Sequence, residues 1–152
     1  MNASSHQHDL RYRRTRTSPV VLVADDDPLL RRLIALALGG EGFRVLDAGD
    51  GGELDGWVRR MVVDGTDPRC VDLVIADQRM SGATGLEVLA RLRRSDWATP
   101  FILITGLDDP SIKAEAHRLG ASCVIEKPFD LFELRAVARR LATPEDPCRR
   151  ST

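Results

Sequence analysis

The sequence predicts an α/β fold in which a parallel sheet is covered by helices on both faces. Short apolar runs alternate with longer segments whose apolar residues follow helical spacing, the pattern expected of strand–helix repeats. The runs are almost continuously apolar rather than alternating, which is typical of strands buried on both faces. Five strands are predicted, over residues 20–24, 43–48, 73–76, 101–104 and 123–126.

Helix starts are marked by capping residues. Asp27-Pro28 and Asp109-Pro110 each place a carboxylate before a proline; the carboxylate can accept hydrogen bonds from free amides, and proline loses no bond at the first helical position. Thr84 with Glu87, and Asp130 with Glu133, have the spacing of capping boxes. With the helical spacing of apolar residues, which alone indicates the second helix, these signals predict helices that begin near 28, 52, 85, 110 and 131 and end near 39, 63, 94, 120 and 141.

Length and composition indicate one globular domain. The chain has 152 residues, 43% hydrophobic and 30% charged, and a net charge of −1, which gives no general attraction to nucleic acid or membranes. The domain is predicted over residues 19–142, between a disordered, arginine-rich tail (1–18) and a short tail (143–152). No apolar run approaches the ~18 residues that cross a membrane. Three cysteines without metal-ligand spacing favour reduced thiols and a cytoplasmic protein.

Polar residues follow four of the predicted strands. The carboxyl ends of parallel strands share one edge of a sheet, where ligand sites of such folds lie. Each residue alone has an ordinary explanation: Asp27 as a helix cap, Asp77 and Thr105 as turn residues, Lys127 as a solvated cation. Together they form a group that can hold Mg²⁺ and carry a phosphoryl group. The residues are Asp25, Asp26 and Asp27 after the first strand, Asp77 after the third, Thr105 and Gly106 after the fourth, and Lys127 after the fifth.

In this order and at these spacings, residues 19–142 resemble the receiver domain of bacterial two-component response regulators. The loop residues Met80-Ser81-Gly82, Gly120-Ala121 and Lys127-Pro128-Phe129 add to the resemblance. It implies a flavodoxin-like, doubly wound sheet with strand order 2-1-3-4-5. It also implies a phospho-acceptor signalling domain, with self-catalysed phosphotransfer and autodephosphorylation only, whose donor is a sensor histidine kinase or a histidine phosphotransfer protein.

The resemblance further implies a role for each residue. Asp77 would be the phospho-acceptor. The ligands of Mg²⁺ (or Mn²⁺) would be Asp25, Asp26, Asp77 and the backbone carbonyl of Arg79. The phosphoryl group would be bound by Thr105, Gly106 and Lys127.

Switching is expected to involve Thr105 and the residue at position 124. Members of the family usually carry an aromatic residue there, and this chain has Val124, so we expect coupling that is weaker or that is carried by loop and helix shifts alone. Ser81 replaces a usual proline, and Gly106 a small residue that is often alanine. The resemblance implies a downstream protein bound by the fourth helix, fifth strand and fifth helix, and a phosphorylation-linked dimer is one form such a switch can take.

About ten residues follow the last predicted helix, so we expect a stand-alone receiver with no attached DNA-binding domain. Two alternatives stay open: a degenerate receiver that docks partners without phosphate, and a receiver fragment of a larger regulator or hybrid kinase. A Mg²⁺-dependent phosphatase or other hydrolase is disfavoured, because Gln78 and Arg79 follow Asp77 where such an enzyme needs a second carboxylate.

Overall fold

The computed structural model describes residues 18–63, 71–106 and 109–142. The predicted tails, residues 1–18 and 143–152, lie outside the described residues except for Ser18. Within the described part, none of the helices is long and apolar enough to cross a membrane.

Strands and helices alternate through the described residues, as predicted. The strands are β1 (Val20–Ala24), β2 (Arg44–Ala48), β3 (Leu73–Asp77), β4 (Phe101–Thr105) and β5 (Cys123–Glu126). The helices are α1 (Pro28–Gly40), α2 (Gly51–Val63), α3 (Gly85–Arg94), α4 (Pro110–Arg118) and α5 (Leu131–Ala142).

All strand pairs are parallel, and the sheet order is β2-β1-β3-β4-β5. This confirms the predicted fold and strand order. The register aligns the carboxyl ends of the strands: Ala24 lies opposite Ala76, Asp77 opposite Ile104, and Thr105 opposite Glu126. The residues that follow β1, β3, β4 and β5 therefore emerge along one edge of the sheet.

Two apolar layers cover the sheet because successive side chains of a strand point to opposite faces. On one face, Val21 and Ile75 belong to a buried cluster with Ile34 of α1 and Leu134 of α5. On the other face, buried side chains of β1, β3 and β4 pack with α2, α3 and α4. This second cluster includes Leu22, Val74, Leu103, Leu54, Val88, Leu92 and Ala116. Every residue of β1, β3 and β4 is buried, which explains their continuous apolar sequence.

Asp27, Thr84 and Asp109 cap the starts of their helices, as predicted. The Asp27 carboxylate accepts hydrogen bonds from the amides of Leu29 (3.0 Å) and Leu30 (3.3 Å). Thr84 Oγ1 accepts one from the Glu87 amide (3.2 Å). Element ends differ by one or two residues from the predicted ones. Strands β3 and β4 continue through Asp77 and Thr105, because the ladder with the neighbouring strand extends that far, and α4 ends two residues before Gly120.

Candidate functional site

Three carboxylates meet at the ends of β1 and β3. Asp25, Asp26 and Asp77 each offer an oxygen, and these oxygens lie within 4.8 Å of one another. Asp25 is only 1% exposed and Asp77 is also buried, whereas Asp26 faces solvent. The parallel pairing of β1 with β3 accounts for this arrangement, because it places the two chain segments side by side.

Lys127 brings a positive charge to the two buried carboxylates. Its Nζ lies 3.1 Å from Asp77 Oδ2 and 3.8 Å from Asp25 Oδ2. The Lys127 amide donates to the Thr105 carbonyl (2.7 Å), which ties the start of the lysine side chain to the end of β4. One ammonium therefore lies between the carboxylates that follow two other strands.

The Asp25 carboxylate is in an environment that disfavours its charged form. The pKa of the Asp25 carboxyl is raised above the ordinary value, and burial is the largest cause. The negative charges of Asp77 and Asp26 also raise this pKa, whereas the hydrogen bond from the Asp27 amide and the charge of Lys127 lower it in part. Oδ1 accepts the Asp27 amide at 2.9 Å, whereas Oδ2 is buried with no hydrogen-bond partner among the described residues. A buried carboxylate oxygen without a donor is costly.

The donor set fits a hard divalent cation. All the candidate ligands are oxygens, two of the three carboxylates are buried, and one buried oxygen lacks a donor. Mg²⁺ prefers oxygen ligands and is usually held by one or two carboxylates plus waters. Mn²⁺ suits the same type of ligand. The residues present therefore match the metal that the sequence implies.

A cavity of about 450 Å³ borders the carboxylate cluster at Asp26. Thr105 and Gly106 line it, so the residue predicted to contact phosphate borders the same cavity as Asp26, whereas Asp25, Asp77 and Lys127 are not among the lining residues. An added Cβ at Gly106 would have no atom within 4 Å, which leaves open space beside Thr105. The complete lining is Asp26, Gln78, Arg79, Met80, Thr84, Thr105, Gly106, Asp109 and Ile112.

Gln78 shapes the loop between β3 and α3, and sequence reasoning gave it no role. Its amide donates to the Ile104 carbonyl (2.8 Å), and its carbonyl accepts from the Gly85 amide (3.2 Å). Its side-chain Oε1 accepts from the Leu86 amide (2.9 Å). The residue after Asp77 thus fastens β3 to β4 and to the start of α3. Its position directly after a buried strand is the only signal that the sequence offers.

The same loop also rests directly on α2. The Gly51 amide donates to the Ser81 carbonyl (2.9 Å). A Cβ at Gly51 would lie 1.8 Å from the Ala83 carbonyl oxygen, and one at Gly82 would lie 2.8 Å from the Gly52 nitrogen. The backbones touch because no side chains separate them. This contact restrains a loop in which Ser81 replaces the proline usual in the resembled family.

Val124 lies in β5 opposite Leu103 and packs, partly buried, against the cluster on the α2, α3 and α4 face. The position predicted for the switch residue therefore holds a small side chain that is already in contact with the core. Whether it weakens switching stays a prediction.

The family model of the response regulator receiver domain matches residues 21–139. The chain belongs to this family. A receiver domain is a phospho-acceptor signalling module of two-component systems, not an enzyme in the ordinary sense. The sequence-based assignment to this family is therefore confirmed.

Relatives and solved structures agree with the assignment of a receiver domain. The chain is 33% identical over 133 residues to TcrX of Mycobacterium tuberculosis, a probable transcriptional regulatory protein, covering 84% of this chain and 53% of TcrX. It is 34% identical over 127 residues to the DNA-binding response regulator MtrA of Mycolicibacterium smegmatis, covering 83% and 52%. The receiver domain of the Francisella response regulator 1452 superposes with a TM-score of 0.71 at 29% identity, covering 82% and 97%.

These relatives correct one expectation about the receiver. The chain spans about half the length of TcrX and MtrA, and MtrA is by its name a DNA-binding regulator. The expectation of no attached DNA-binding domain is therefore wrong. A receiver domain completes its own core, so its sequence carries no signal about a domain joined to it. The few residues after α5 were no basis for that inference.

Proposed function

We propose that Asp77 accepts a phosphoryl group from a histidine kinase in a Mg²⁺-dependent reaction. The observation that carries the proposal is the position of Lys127 Nζ, 3.1 Å from Asp77 Oδ2 and 3.8 Å from Asp25 Oδ2, at an edge where Thr105 also ends a strand. A carboxylate that attacks an anionic phosphoryl group needs nearby positive charge, because catalysis of this transfer depends mainly on positioning and electrostatics.

In the proposed reaction, a carboxylate oxygen of Asp77 attacks the phosphorus of a phosphohistidine. An oxygen–phosphorus bond forms, the nitrogen–phosphorus bond breaks, and its electron pair stays on the imidazole nitrogen of the donor. The Lys127 ammonium, now close to Asp77, offers charge to a phosphoryl oxygen as a compact donor. Attack by water on the phosphorus would later release inorganic phosphate and restore the carboxylate.

Asp25, Asp26, Asp77 and the Arg79 carbonyl would hold the cation. Support comes from the clustered oxygens and from the unsatisfied Oδ2 of Asp25. When bound, Mg²⁺ would neutralise charge that develops on the transferring phosphoryl oxygens. Asp25 and Asp26 would contribute by presenting oxygens at the carboxyl end of β1, next to the acceptor.

Thr105 would donate its hydroxyl to a phosphoryl oxygen once the group is in place. The residue is buried at the end of β4 and lines the cavity, and Gly106 leaves space beside it. Moving Thr105 toward the phosphate would favour one of two arrangements of β4 and β5, which is how a local charge biases a two-state element. Val124 would transmit this change without the ring of an aromatic residue.

An exposed leucine seam on α1 supports a helical protein as the phosphodonor. Leu29, Leu33 and Leu36 are 68%, 43% and 63% exposed, and their spacing of four and three residues is that of helix–helix packing. Helix α1 has no acidic residue, and its exposed Arg32 can meet an acidic flank of a partner helix, whereas Arg31 is bonded to Asp47 and to the Asp25 carbonyl. It begins directly after the acidic cluster, so a partner bound there would lie close to Asp77.

The receiver is best explained as the regulatory part of a larger regulator, because TcrX and MtrA are about twice as long as the matched region. Immunoblotting of the native protein tests this, since it should migrate as a chain longer than 152 residues. Cytoplasmic location stays a prediction from the cysteine content.

Intact-mass spectrometry after incubation with acetyl phosphate tests the acceptor. We expect a Mg²⁺-dependent mass increase of one phosphoryl group in the wild type. Asp77→Asn should remain folded and unlabelled, and Asp130→Asn, which removes an aspartate outside the acidic cluster, should be labelled normally. Labelling of Asp77→Asn would refute the assignment. An unlabelled wild type, beside a known receiver that is labelled, would favour a phosphate-independent docking module.

A further inference from the structure

In the turn from β1 to α1, a hydrogen bond restrains each of the two peptide groups that flank Asp26. On one side, the Asp27 amide donates to Asp25 Oδ1 at 2.9 Å. On the other side, the Asp25 carbonyl accepts from Arg31 Nη1 at 2.8 Å. Asp26 itself faces solvent, yet its carboxylate lies within reach of Asp25 and Asp77. Because Asp26 is exposed, side-chain packing does not direct its carboxylate toward Asp25 and Asp77, so the backbone of the turn must do so.

Arg31 is well placed to hold that turn. Its Nη1 bonds to the Asp25 carbonyl, and its Nε donates to Asp47 Oδ2 (3.2 Å) in β2. The guanidinium also lies beside Gly49, where an added Cβ would be 3.6 Å from Arg31 Nη1. The Arg31 side chain is only 21% exposed, so it is itself restrained. It therefore joins the first turn of α1, the end of β1 and the neighbouring strand.

We propose that Arg31 is a positioning residue of the cation site. It fixes the Asp25–Asp26 peptide group, so that the Asp26 carboxylate is directed at the site before an ion binds. Residues that orient metal ligands without touching the metal commonly change metal affinity by about 10- to 100-fold when they are removed. This inference rests on the metal site of the proposed function, and it adds a residue that does not contact the metal, the acceptor or the phosphoryl group.

A purely electrostatic role makes a different prediction from a positioning role. If only the charge of Arg31 mattered, lysine at this position would preserve cation binding. Lysine lacks the planar fork that lets one guanidinium bond two acceptors in fixed directions. Arg31→Lys should therefore bind the cation more weakly than the wild type, although the net charge is the same.

Calorimetric titration of the metal-free protein with MgCl₂ tests the proposal. Arg31→Met should bind Mg²⁺ about 10-fold more weakly than the wild type. Arg32→Met is the matched control, because it removes the same charge from the next position of the same helix, and it should bind normally. Asp47→Asn weakens the bond that Arg31 Nε makes to β2, so it should reduce Mg²⁺ affinity in the same direction but by less. This variant tests the proposal if Arg31→Met does not fold.

A second readout reports position directly. In the metal-free protein, the backbone amide resonances of Asp26 and Asp27 should shift in Arg31→Met and stay unchanged in Arg32→Met. Equal Mg²⁺ affinity in Arg31→Met and Arg32→Met would overturn the positioning role, as would full affinity in Arg31→Lys. A wild type that binds no Mg²⁺ would instead overturn the metal site of the proposed function, so the two failures are distinguishable.

Discussion

Replacing Asp25 with asparagine should stabilise the metal-free protein. The Asp25 carboxylate is buried, lies within 4.8 Å of oxygens of Asp26 and Asp77, and has Lys127 Nζ at 3.8 Å. With an effective dielectric constant of ~20, a unit charge at the outer limit of 4.8 Å repels by about 3.5 kcal/mol and one at 3.8 Å attracts by about 4.4 kcal/mol. Two repulsions thus exceed one attraction by about 2.5 kcal/mol.

Solvent around Asp26 reduces this excess, so we expect Asp25→Asn to raise the free energy of unfolding by about 1–3 kcal/mol at neutral pH. Asparagine keeps the oxygen that accepts the Asp27 amide, so the turn should be preserved. Asp26→Asn is the matched control, because it removes the same charge from an exposed position and should stabilise less.

Acid should diminish this effect. Burial, together with the charges of Asp77 and Asp26, raises the pKa of Asp25 in the folded protein above its unfolded value. The folded state therefore binds the proton more tightly, and the wild type gains stability relative to the variant as the pH falls through that raised pKa. The advantage of Asp25→Asn should be largest at neutral pH and should shrink on acidification.

Urea unfolding followed by circular dichroism measures these differences, first in a chelator and then in MgCl₂. A bound ion stabilises by about 2.7 kcal/mol at a concentration 100 times its Kd. The wild type should gain this stabilisation, and Asp25→Asn should gain much less. Mg²⁺ should therefore reduce or reverse the difference in free energy of unfolding between the variant and the wild type. A variant less stable than the wild type in chelator at neutral pH would refute the reasoning.

Three further outcomes are expected. Lys127→Met should destabilise the metal-free protein by about 1–3 kcal/mol in urea unfolding, because it leaves Asp77 without its ammonium; unchanged stability would contradict this. Gly51→Ala should lower the free energy of unfolding by about 1–3 kcal/mol, because the new Cβ overlaps a backbone oxygen. Gly52→Ala should lower it less, because a Cβ there would lie 3.3 Å from Asp50 Oδ1, and equal losses would argue against the overlap. Val124→Tyr should enlarge the NMR shift changes of β5 on phosphorylation, and identical changes in both proteins would count against the switch role.

Much of the fold followed from local sequence patterns. Continuous apolar runs identified the central strands, and the capping carboxylates of Asp27 and Asp109 marked two helix starts. The shared edge of parallel strands explains why Asp77 and Lys127 could be expected to meet, although 50 residues separate them. That prediction needs only the positions where the strands end, and it does not need the conformations of the side chains.

The supporting contacts could not be predicted in the same way. Gln78 fastens the loop through its own side chain and backbone, and Arg31 reaches both a carbonyl of β1 and a carboxylate of β2. Such bonds depend on the final spacing of elements that are not adjacent in the chain. Strand ends also shifted by one residue at Asp77 and Thr105, because pairing with the neighbouring strand decides where a strand stops.

The contact between α2 and the loop after β3 bears on how mutational tolerance should be interpreted. At Gly51 and Gly82 the opposing backbones occupy the volume that a side chain would need. A saturation scan would thus show these two positions to be as intolerant as Asp77, although neither has a functional group to lose. Selection for protein abundance would distinguish the two kinds of position. Substitution at the glycines would lower abundance, because the new side chain overlaps a backbone, whereas loss of the Asp77 carboxylate would not lower it.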